Sequence, residues 1–599
     1  MEDALKQKSE AAPAFGVNPG EPITRAFRAI RGSFAAHRAE VACAALLLLM
    51  AANLFAAISR KSITNDEIVH IPAGYYHLVA GEFQLNNEHP PLIKMWAALP
   101  LLFVQPDEPP PPNTADENFM ERTWGFHARF WQANRDHFAA ITFWPRVMMI
   151  PISLALGALI FVFARKLFGE TAAVIAVALY VIEPTVLAHG RVVHTDLPAA
   201  FVYLLFFFML HYYAEAPGPR RALLLGCACA VALLTKFSMV VILPVLLGCV
   251  GIRLWITRHK KRQRSQVFLH SGLMAVVILF LVNVAYYFTH PPLEASDVRW
   301  VALKSAPVFS EVITSVRVLS KVIPTYYLFG FYNVVIHGHY GHATSLLGQY
   351  NDLGWWYYFP VAFALKTTIP FLLLAVASLA WSGWMLVAKR DSRFLFLVVP
   401  VGLYAAIALT SNINIGIRHF LPVYPFLFIA AGALGTQLLR LRGRFGILAL
   451  VILIGWMGFE AVRAFPDYTP YMNQLASRRP HWYYLSDSNV EWGDDVGEMA
   501  AYLTARGETK LTAALSGGWS TLTQYGVEYQ DMVSMSPDAK PETRYVAIGA
   551  SFLNGSVVPG DENVIGRRSF ERTNLFARYR DRKPEAVFGN SIYLFREHE

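Results

Sequence analysis

The chain has 599 residues, of which 55% are hydrophobic and only 16% are charged. Its mean hydropathy of +0.35 is too high for a soluble multidomain protein and indicates a polytopic membrane protein. The net charge of +9 does not indicate nucleic-acid binding, because the basic residues lie in short clusters between apolar stretches, as they do in cytoplasmic loops. The four cysteines all lie inside apolar stretches, which indicates packing residues rather than a disulfide framework or a zinc site.

The chain begins with a polar segment, residues 1–39, that precedes the first apolar stretch. This segment lacks the order of positive charge, short apolar core and cleavage site that defines a signal peptide. We therefore expect residues 1–39 to be a cytoplasmic leader and the stretch that follows to be a retained signal anchor.

The transmembrane domain is predicted to cover residues 40–464. A helix needs about 20 apolar residues to cross a hydrocarbon core about 30 Å thick. About eleven stretches approach that length, near residues 41–59, 140–164, 171–187, 196–213, 221–235, 238–256, 267–288, 356–385, 394–410, 420–438 and 445–463. Only Thr235-Lys236-Phe237-Ser238 interrupts the apolar run over 221–256, so one tilted helix is an alternative to two.

The positive charges favour two helices over 221–256. With that division the basic clusters fall in alternate connections and are predicted to face the cytoplasm: Arg165-Lys166, Arg220-Arg221, Arg258 to Arg264, Lys389 to Arg393 and Arg440 to Arg444. The outer face then carries two long loops, which we call loop 1 (60–139) and loop 2 (289–355), and the tail after residue 464.

Loop 1 carries the most unusual polar residues. Asp66-Glu67-Ile68-Val69-His70 directly follows the first apolar stretch, and on a helix Asp66, Glu67 and His70 can share one face. Glu88, His89 and Lys94 follow, and the apolar segment 92–104 is too short to span, so it is predicted to be an interfacial or re-entrant helix. An ordinary solvated loop is the alternative, but ionisable clusters at a membrane edge are costly and usually functional.

Further charged residues recur at the outer ends of later apolar stretches: Arg191, Asp196, Lys236, Lys366, Arg418 and His419. Each by itself could be a snorkelling or capping residue. Together with the acids of loop 1, such cations are what an enzyme needs to hold a lipid phosphate and to activate a hydroxyl. We predict that Asp66 is the general base and that Glu67 orients the acceptor or the sugar. The residues predicted to bind substrate are His70, Glu88, His89, Lys94, Arg191, Asp196, Lys236, Lys366, Arg418 and His419.

The tail, residues 465–599, is less apolar and mixes short alternating runs with a helical stretch near 496–506. It is long enough for a small soluble α/β domain. Its acidic segment Asp487 to Asp495 stands just before the helical stretch and is interpreted as helix capping.

Several motifs resemble the dolichyl-phosphate-mannose protein mannosyltransferases and their bacterial relatives, glycosyltransferase family 39 of the C-type (GT-C) superfamily. The resemblance covers most of 41–464 and depends on an ordered set: Asp66-Glu67, His89-Pro90-Pro91-Leu92-Ile93-Lys94, Ala188-His189-Gly190 with Thr195-Asp196-Leu197-Pro198, Leu234-Thr235-Lys236-Phe237-Ser238, Gly354-Trp355-Trp356-Tyr357-Tyr358-Phe359-Pro360 and Arg418-His419-Phe420-Leu421-Pro422.

The resemblance implies an inverting transfer of one sugar, mannose or another hexose, from a polyprenyl-phosphate carrier on the outer face of a membrane. It assigns Asp66 and Glu67 to the catalytic motif, and bacterial members would place the protein in the plasma membrane. The chain departs from the eukaryotic members because loop 2 has no long insertion for a β-trefoil domain. The acceptor therefore stays open between a protein, a lipid and a glycan.

A metal site is a further hypothesis, because His337, His339 and His342 in loop 2 could bind a divalent ion together with Glu88. A flexible loop is the alternative, since glycines separate these histidines. No other cofactor is indicated.

Three other functions remain open at this point, one of which is a non-catalytic assembly protein whose outer tail binds a partner. A ligase that moves a whole preassembled glycan is the closest competitor among enzymes. A transporter or lipid flippase would also carry buried charges, but the two halves of the sequence show no corresponding pair of broken helices.

Overall fold

The computed structural model describes residues 37–110, 125–292, 309–515, 521–535, 540–555 and 576–598, with only the backbone of 309–313. Nearly all of the predicted leader, the second half of the proline run at 109–112 and parts of both long loops lie outside the described residues.

Helices dominate the first part of the chain. They are α1 Arg38–Ile58, α2 Asn65–Val79, α3 Pro91–Ala98, α4 Leu101–Val104, α5 Phe126–Ala133, α6 Phe138–Val147, α7 Met149–Phe168, α8 Glu170–Ile182, α9 Pro184–His189, α10 Asp196–Glu215, α11 Pro219–Thr235, α12 Ile242–Ile256, α13 Lys261–Ala285, α14 Phe309–Leu319, α15 Thr325–Tyr340, α16 Tyr358–Lys366, α17 Ile369–Val387, α18 Leu395–Leu409 and α19 Tyr424–Ala464. A short hairpin of β1 Thr344–Leu346 and β2 Gln349–Asn351 lies between α15 and α16.

The predicted helical membrane domain is confirmed. Within the described residues, eight helical segments are long and apolar enough to cross a membrane. The last of these, Ile417–Ala464, covers the two predicted stretches 420–438 and 445–463. Between them Gly443, with φ of 47°, leaves the helical conformation and bends α19. The predicted stretches at 171–187 and 221–235 correspond to shorter helices, α8 with α9 and α11, so the number of eleven spans stays a prediction.

The break between α11 and α12 lies where the sequence places it. Lys236 has an extended backbone, and Phe237–Val241 forms one 3₁₀ segment before α12 begins. Residues 219–256 therefore form two helices, and α11 packs between α10 and α13.

Loop 1 is built around α2, which begins with a capping box. The Oγ1 atom of Thr64 accepts from the backbone N–H of Glu67, and the Glu67 carboxylate accepts from the backbone N–H of Thr64 at 2.8 Å. Helix α2 packs on α3 at Gly74, where a Cβ atom would lie 2.2 Å from the carbonyl oxygen of Lys94. The predicted helix over 92–104 is helical but divided in two, as α3 and α4.

The C-terminal part forms the predicted α/β domain. Its elements are α20 His481–Tyr484, α21 Val496–Thr504, β3 Lys510–Ala514, β4 Glu528–Asp531, β5 Tyr545–Gly549, α22 Ala550–Leu553, α23 Ala577–Arg580, β6 Ala586–Phe588 and β7 Ile592–Arg596. The strand order is β4-β3-β5-β7-β6, with β3 parallel to β4 and β5, and β7 antiparallel to β5 and β6. Helix α21 packs its apolar face, including Val496 and Met499, into the same core as β3.

The C-terminal domain contacts the membrane domain through buried charges. Arg191 pairs with Asp494 at 2.6 Å, and both side chains are almost fully buried. Lys61 pairs with Asp495 and with Asp467. The capping interpretation is therefore wrong for Asp495, which stands at the N-terminus of α21 but makes no side-chain cap bond. Its carboxylate instead binds Lys61 and Ser591, because leaving a buried carboxylate without a charged partner costs more free energy than losing one capping bond.

We predict that Asp494→Ala lowers the stability of the folded protein by about 3–5 kcal/mol, because it leaves the Arg191 charge buried and unpaired. The control is Glu597→Ala, which removes the partly exposed pair with Arg582 and should cost about 0–1 kcal/mol. Thermal unfolding of purified protein in detergent checks both. Equal melting temperatures for the two variants would show that the Arg191 pair does not hold the domains together.

Candidate active site

A cavity of about 590 Å³ lies where loop 1, loop 2 and the start of the C-terminal domain meet the membrane helices. Its volume is in the range of about 300–1,000 Å³ that is usual for small-molecule sites. Ten of the residues singled out in the sequence line it: Asp66, His70, Glu88, His89, Asp196, Lys236, His337, His342, Arg418 and His419. These residues come from distant parts of the chain, and the fold brings them to one place.

Asp66 is held at both oxygens of its carboxylate. Oδ2 pairs with Nη1 of Arg418, and Oδ1 accepts from the indole N–H of Trp492 at 3.1 Å. Burial by itself would raise the pKa of Asp66, but Arg418, His70 and the Trp492 hydrogen bond outweigh it and hold the pKa below its ordinary value. Asp66 is therefore an ionised carboxylate in the wall of the cavity.

A second acid–cation pair stands beside the first. Asp196 pairs with Lys236 and lies 3.0 Å from Nδ1 of His194. Nη1 of Arg418 is also 3.8 Å from Asp196, so Arg418 stands between the two carboxylates. The break before α12 makes this possible, because the extended backbone at Lys236 lies at the end of α11 rather than within it.

Glu67 lies behind the cavity wall rather than in it. Its carboxylate accepts from Nε and Nη2 of Arg146 at 2.9 and 2.6 Å, and from the backbone N–H of Val193 at 2.9 Å. Two further bonds come from the backbone and the hydroxyl of Thr64. The capping box turns the Glu67 side chain back toward Thr64, so the two neighbouring acids serve different surroundings.

Three predicted cations also lie off the cavity. Lys94 donates to the carbonyl of Asn86 at 2.6 Å, and burial lowers the pKa of Lys94 to about 7. Lys366 donates to the carbonyls of Thr469 and Asn489 at 2.6 and 2.7 Å. Arg191 is occupied by Asp494. Each of the two lysines holds a backbone segment that leads into the cavity wall.

The three histidines of loop 2 do not converge with Glu88 as one set of ligands. His337 and His342 are in contact, with 3.2 Å between Nε2 and Nδ1, because the chain turns back at Gly341. His339 is two residues from His337 on the same helix and so projects to another side, beside Tyr340. Across the described residues, the one group of three acids or histidines close enough for a shared ion is Asp467, Asp495 and Glu498, and Lys61 already pairs with two of these.

Among the cavity residues that were not predicted as site residues, two lie in the acidic segment of the tail. Trp492 contacts Asp66, and Asp487 lines the cavity with a positive φ of 55°. A non-glycine residue in this conformation is uncommon and occurs preferentially at functional sites. The capping interpretation hid both residues, although a tryptophan between two pairs of acidic residues was a visible signal.

The comparisons with known proteins agree with the motifs. Residues 136–287, which contain Arg191, Asp196 and Lys236, match the family model for dolichyl-phosphate-mannose-protein mannosyltransferase. No curated protein sequence matches the chain.

Three solved structures share weak overall similarity. The oligosaccharyltransferase of Archaeoglobus fulgidus in complex with Zn and sulfate is 11% identical, with 84% of this chain and 68% of that chain covered and a TM-score of 0.44. AglB of the same organism, in complex with an inhibitory peptide and a dolichol-phosphate, is 11% identical over 87% and 71%, with a TM-score of 0.46. ArnT from Cupriavidus metallidurans, bound to undecaprenyl phosphate, is 15% identical over 93% and 98%, with a TM-score of 0.44.

These similarities are too low to indicate shared substrates. The family match is more direct, because it includes motif residues that line the cavity. Within residues 136–287 it confirms the predicted resemblance of this chain to the dolichyl-phosphate-mannose protein mannosyltransferases of the GT-C glycosyltransferase superfamily, while the motifs at 66–67, 89–94, 354–360 and 418–422 lie outside the match.

Proposed function

We propose that the protein transfers one sugar from a polyprenyl-phosphate carrier to a hydroxyl group of an acceptor. The observation that carries this proposal is the position of the ionised Asp66 in the cavity: it pairs with Arg418, which also lies 3.8 Å from Asp196, the partner of Lys236. A base next to paired cations is what the displacement of a phosphate leaving group by a hydroxyl requires.

The donor phosphate would bind at Arg418 and Lys236. Both cations are paired with carboxylates, so the phosphate has to compete with Asp66 and Asp196 for them. Arg418 can serve both, since its guanidinium has several N–H donors in a fixed plane. His419 also lines the cavity and can donate a hydrogen bond to a third phosphate oxygen.

The reaction step exchanges one bond at the anomeric carbon. The acceptor oxygen forms a bond to that carbon from the face opposite the phosphate, the bond from the carbon to the phosphate oxygen breaks, and the configuration inverts. The proton of the acceptor hydroxyl goes to Asp66, and polyprenyl phosphate leaves with both electrons of the broken bond. Arg418 and Lys236 stabilise its charge.

The apolar part of the cavity suits the lipid portion of such a donor. Phe329 and Val334 of α15 and Ile407 of α18 lie in the same cavity as the charged cluster. A ligand with a phosphate at one end and an isoprenoid chain at the other matches both surfaces. The volume of about 590 Å³ suits a single sugar phosphate better than a preassembled glycan.

Apart from Asp66, Asp196, Lys236, Arg418 and His419, which form or surround the phosphate site, the predicted site residues form two groups in this proposal. His70, Glu88 and His89 line the sugar or acceptor part of the cavity. Glu67, Lys94, Arg191 and Lys366 hold the walls in place through the buried bonds described above. The sugar, which the resemblance suggests is mannose or another hexose, and the acceptor, whether protein, lipid or glycan, are to be identified by the product. We further propose that the cavity faces the outer side of a bacterial plasma membrane.

We predict that Asp66→Asn abolishes transfer but leaves membrane insertion intact and the melting temperature nearly unchanged, because it removes the base, keeps the shape of the side chain and leaves Arg418 with Asp196 as a partner. The measurement is release of polyprenyl phosphate by purified protein supplied with polyprenyl-phosphate mannose or glucose and cell-envelope extract. Release that persists at the wild-type rate in Asp66→Asn would end the proposal. A labelled sugar on the product identifies the acceptor.

We predict that Lys236→Ala raises the apparent KM for the lipid donor about 10- to 100-fold, because it removes a charged hydrogen bond to the phosphate. The KM for the acceptor should change much less. The matched control is Lys389→Ala, since Lys389 is an exposed cation beside Trp384 and does not line the cavity. An unchanged donor KM in Lys236→Ala would remove Lys236 from the phosphate site.

We predict that Glu67→Gln lowers the stability by about 3–5 kcal/mol, because the amide leaves the buried Arg146 charge without its partner. The control is Asp66→Asn, because the carboxylate of Asp66, next to Glu67 in the sequence, faces the cavity. Thermal unfolding is compared with the turnover of whatever folded enzyme remains. A Glu67→Gln variant that keeps the wild-type melting temperature but loses all turnover would make Glu67 a catalytic group instead.

A further inference from the structure

The tail reaches into the cavity at Asp487 and Trp492. Resting on the proposed function, we propose that Trp492 is a positioning residue for the transfer reaction: it orients the carboxylate of Asp66 and the guanidinium of Arg418 together, so that the C-terminal domain completes the active site. A domain that merely follows the membrane helices would have no such contact.

The first observation is that Trp492 contacts both members of the ion pair. Its indole N–H donates to Oδ1 of Asp66 at 3.1 Å, while Oδ2 of the same carboxylate pairs with Arg418. The guanidinium carbon of Arg418 lies 4.7 Å from the centre of the indole ring, within the distance of a cation–π contact. One rigid ring therefore limits the rotation of the carboxylate and of its cation.

The second observation is that the ring itself cannot turn freely. Trp492 is 2% exposed, and its ring meets those of His189 and His194 edge-on, with centroids 5.5 and 5.6 Å away. His194 is bonded to Asp196. Trp492 thus fills the space between the two acid–cation pairs.

The third observation is that backbone hydrogen bonds set the register between the tail and loop 1. The N–H of Asn65 donates to the carbonyl of Trp492 at 2.7 Å, and the N–H of Ser62 donates to the carbonyl of Asp494 at 2.9 Å. Asp66 and Trp492 are 426 positions apart in the sequence, yet each follows or carries one of these bonded backbone groups. A shift of the tail would move the indole away from Asp66.

Loss of the indole N–H has a predictable electrostatic effect. A hydrogen bond to a carboxylate favours its ionised form, so its removal raises the pKa of Asp66. The other charged or titratable groups around Asp66 stay in place: His70 on the same helix, Arg418 before α19, Asp196 at the start of α10 and Asp487 in the tail. The acidic limb of the activity profile should therefore move to higher pH.

The test compares Trp492→Phe with Trp131→Phe. Phenylalanine keeps an aromatic ring but lacks the N–H donor. Trp131 is an equally buried tryptophan whose indole donates to the carbonyl of Ile68 at 2.9 Å, on the same helix as Asp66 but away from its carboxylate. Both variants lose one buried hydrogen bond from an indole near α2, so Trp131→Phe controls for a general effect of that loss on folding.

We expect Trp492→Phe to lower kcat about 10- to 100-fold with little change in the donor KM, and to move the acidic limb to higher pH. Trp131→Phe should leave the limb in place. A folded Trp492→Phe enzyme with an unshifted acidic limb, in a preparation where the wild type is active and Asp66→Asn is not, would overturn the inference.

A readout that needs no turnover separates this inference from the proposed function. The pH titration of the Trp492 emission, taken as wild type minus Trp492→Phe, should have a midpoint that disappears in the Asp66→Asn background. Such a midpoint supports the contact even if no polyprenyl-phosphate sugar serves as donor. A titration of Trp492 that is identical with and without Asp66 would overturn it.

Discussion

The burial of charge is the constraint on which the rest of this structure depends. A buried ion without a partner costs several kcal/mol, so each charge near the cavity has to find an opposite charge or a set of hydrogen bonds. Arg418 meets this requirement by standing between Asp66 and Asp196, and Lys236 does so by pairing with Asp196. The break between α11 and α12 brings Lys236 to Asp196, and the docking of the tail on the membrane domain brings Asp494 to Arg191 and Asp495 to Lys61.

The same constraint separates the groups that a ligand can use from those that it cannot. Arg418 and Lys236 are satisfied by carboxylates that themselves line the cavity, and an anionic ligand can replace those carboxylates. Lys366 is satisfied by two backbone carbonyls, and Arg146 by Glu67, and neither partner can leave without unfolding a segment. What decides the availability of a buried cation is therefore the kind of partner it has, more than its depth.

The sequence predicted the helical membrane domain, the α/β tail, the break at Lys236 and ten of the residues that line the cavity. Periodicity and composition suffice for such features, because each depends on local sequence or on membrane geometry. It could not show that Asp66 lines the cavity while Glu67 lies behind the cavity wall, since Glu67 is held there by Arg146, 79 positions further on. It also could not predict the partners of Asp495 and Trp492. These residues contact Lys61 and Asp66, which are distant in the sequence, and such tertiary contacts override the local preference for helix capping.

The shared cation gives the proposed reaction an order. While Arg418 pairs with Asp66, the carboxylate is stabilised as an anion and is a weak base. A donor phosphate that draws Arg418 toward itself removes part of that stabilisation, so the affinity of Asp66 for a proton rises only when the leaving group is already neutralised by the same guanidinium. Trp492 keeps its hydrogen bond to the other oxygen and so holds the carboxylate in place during the exchange. Occupation of the donor site would in this way create the base that the acceptor needs, and an acceptor that arrives first would meet a carboxylate still held by its cation.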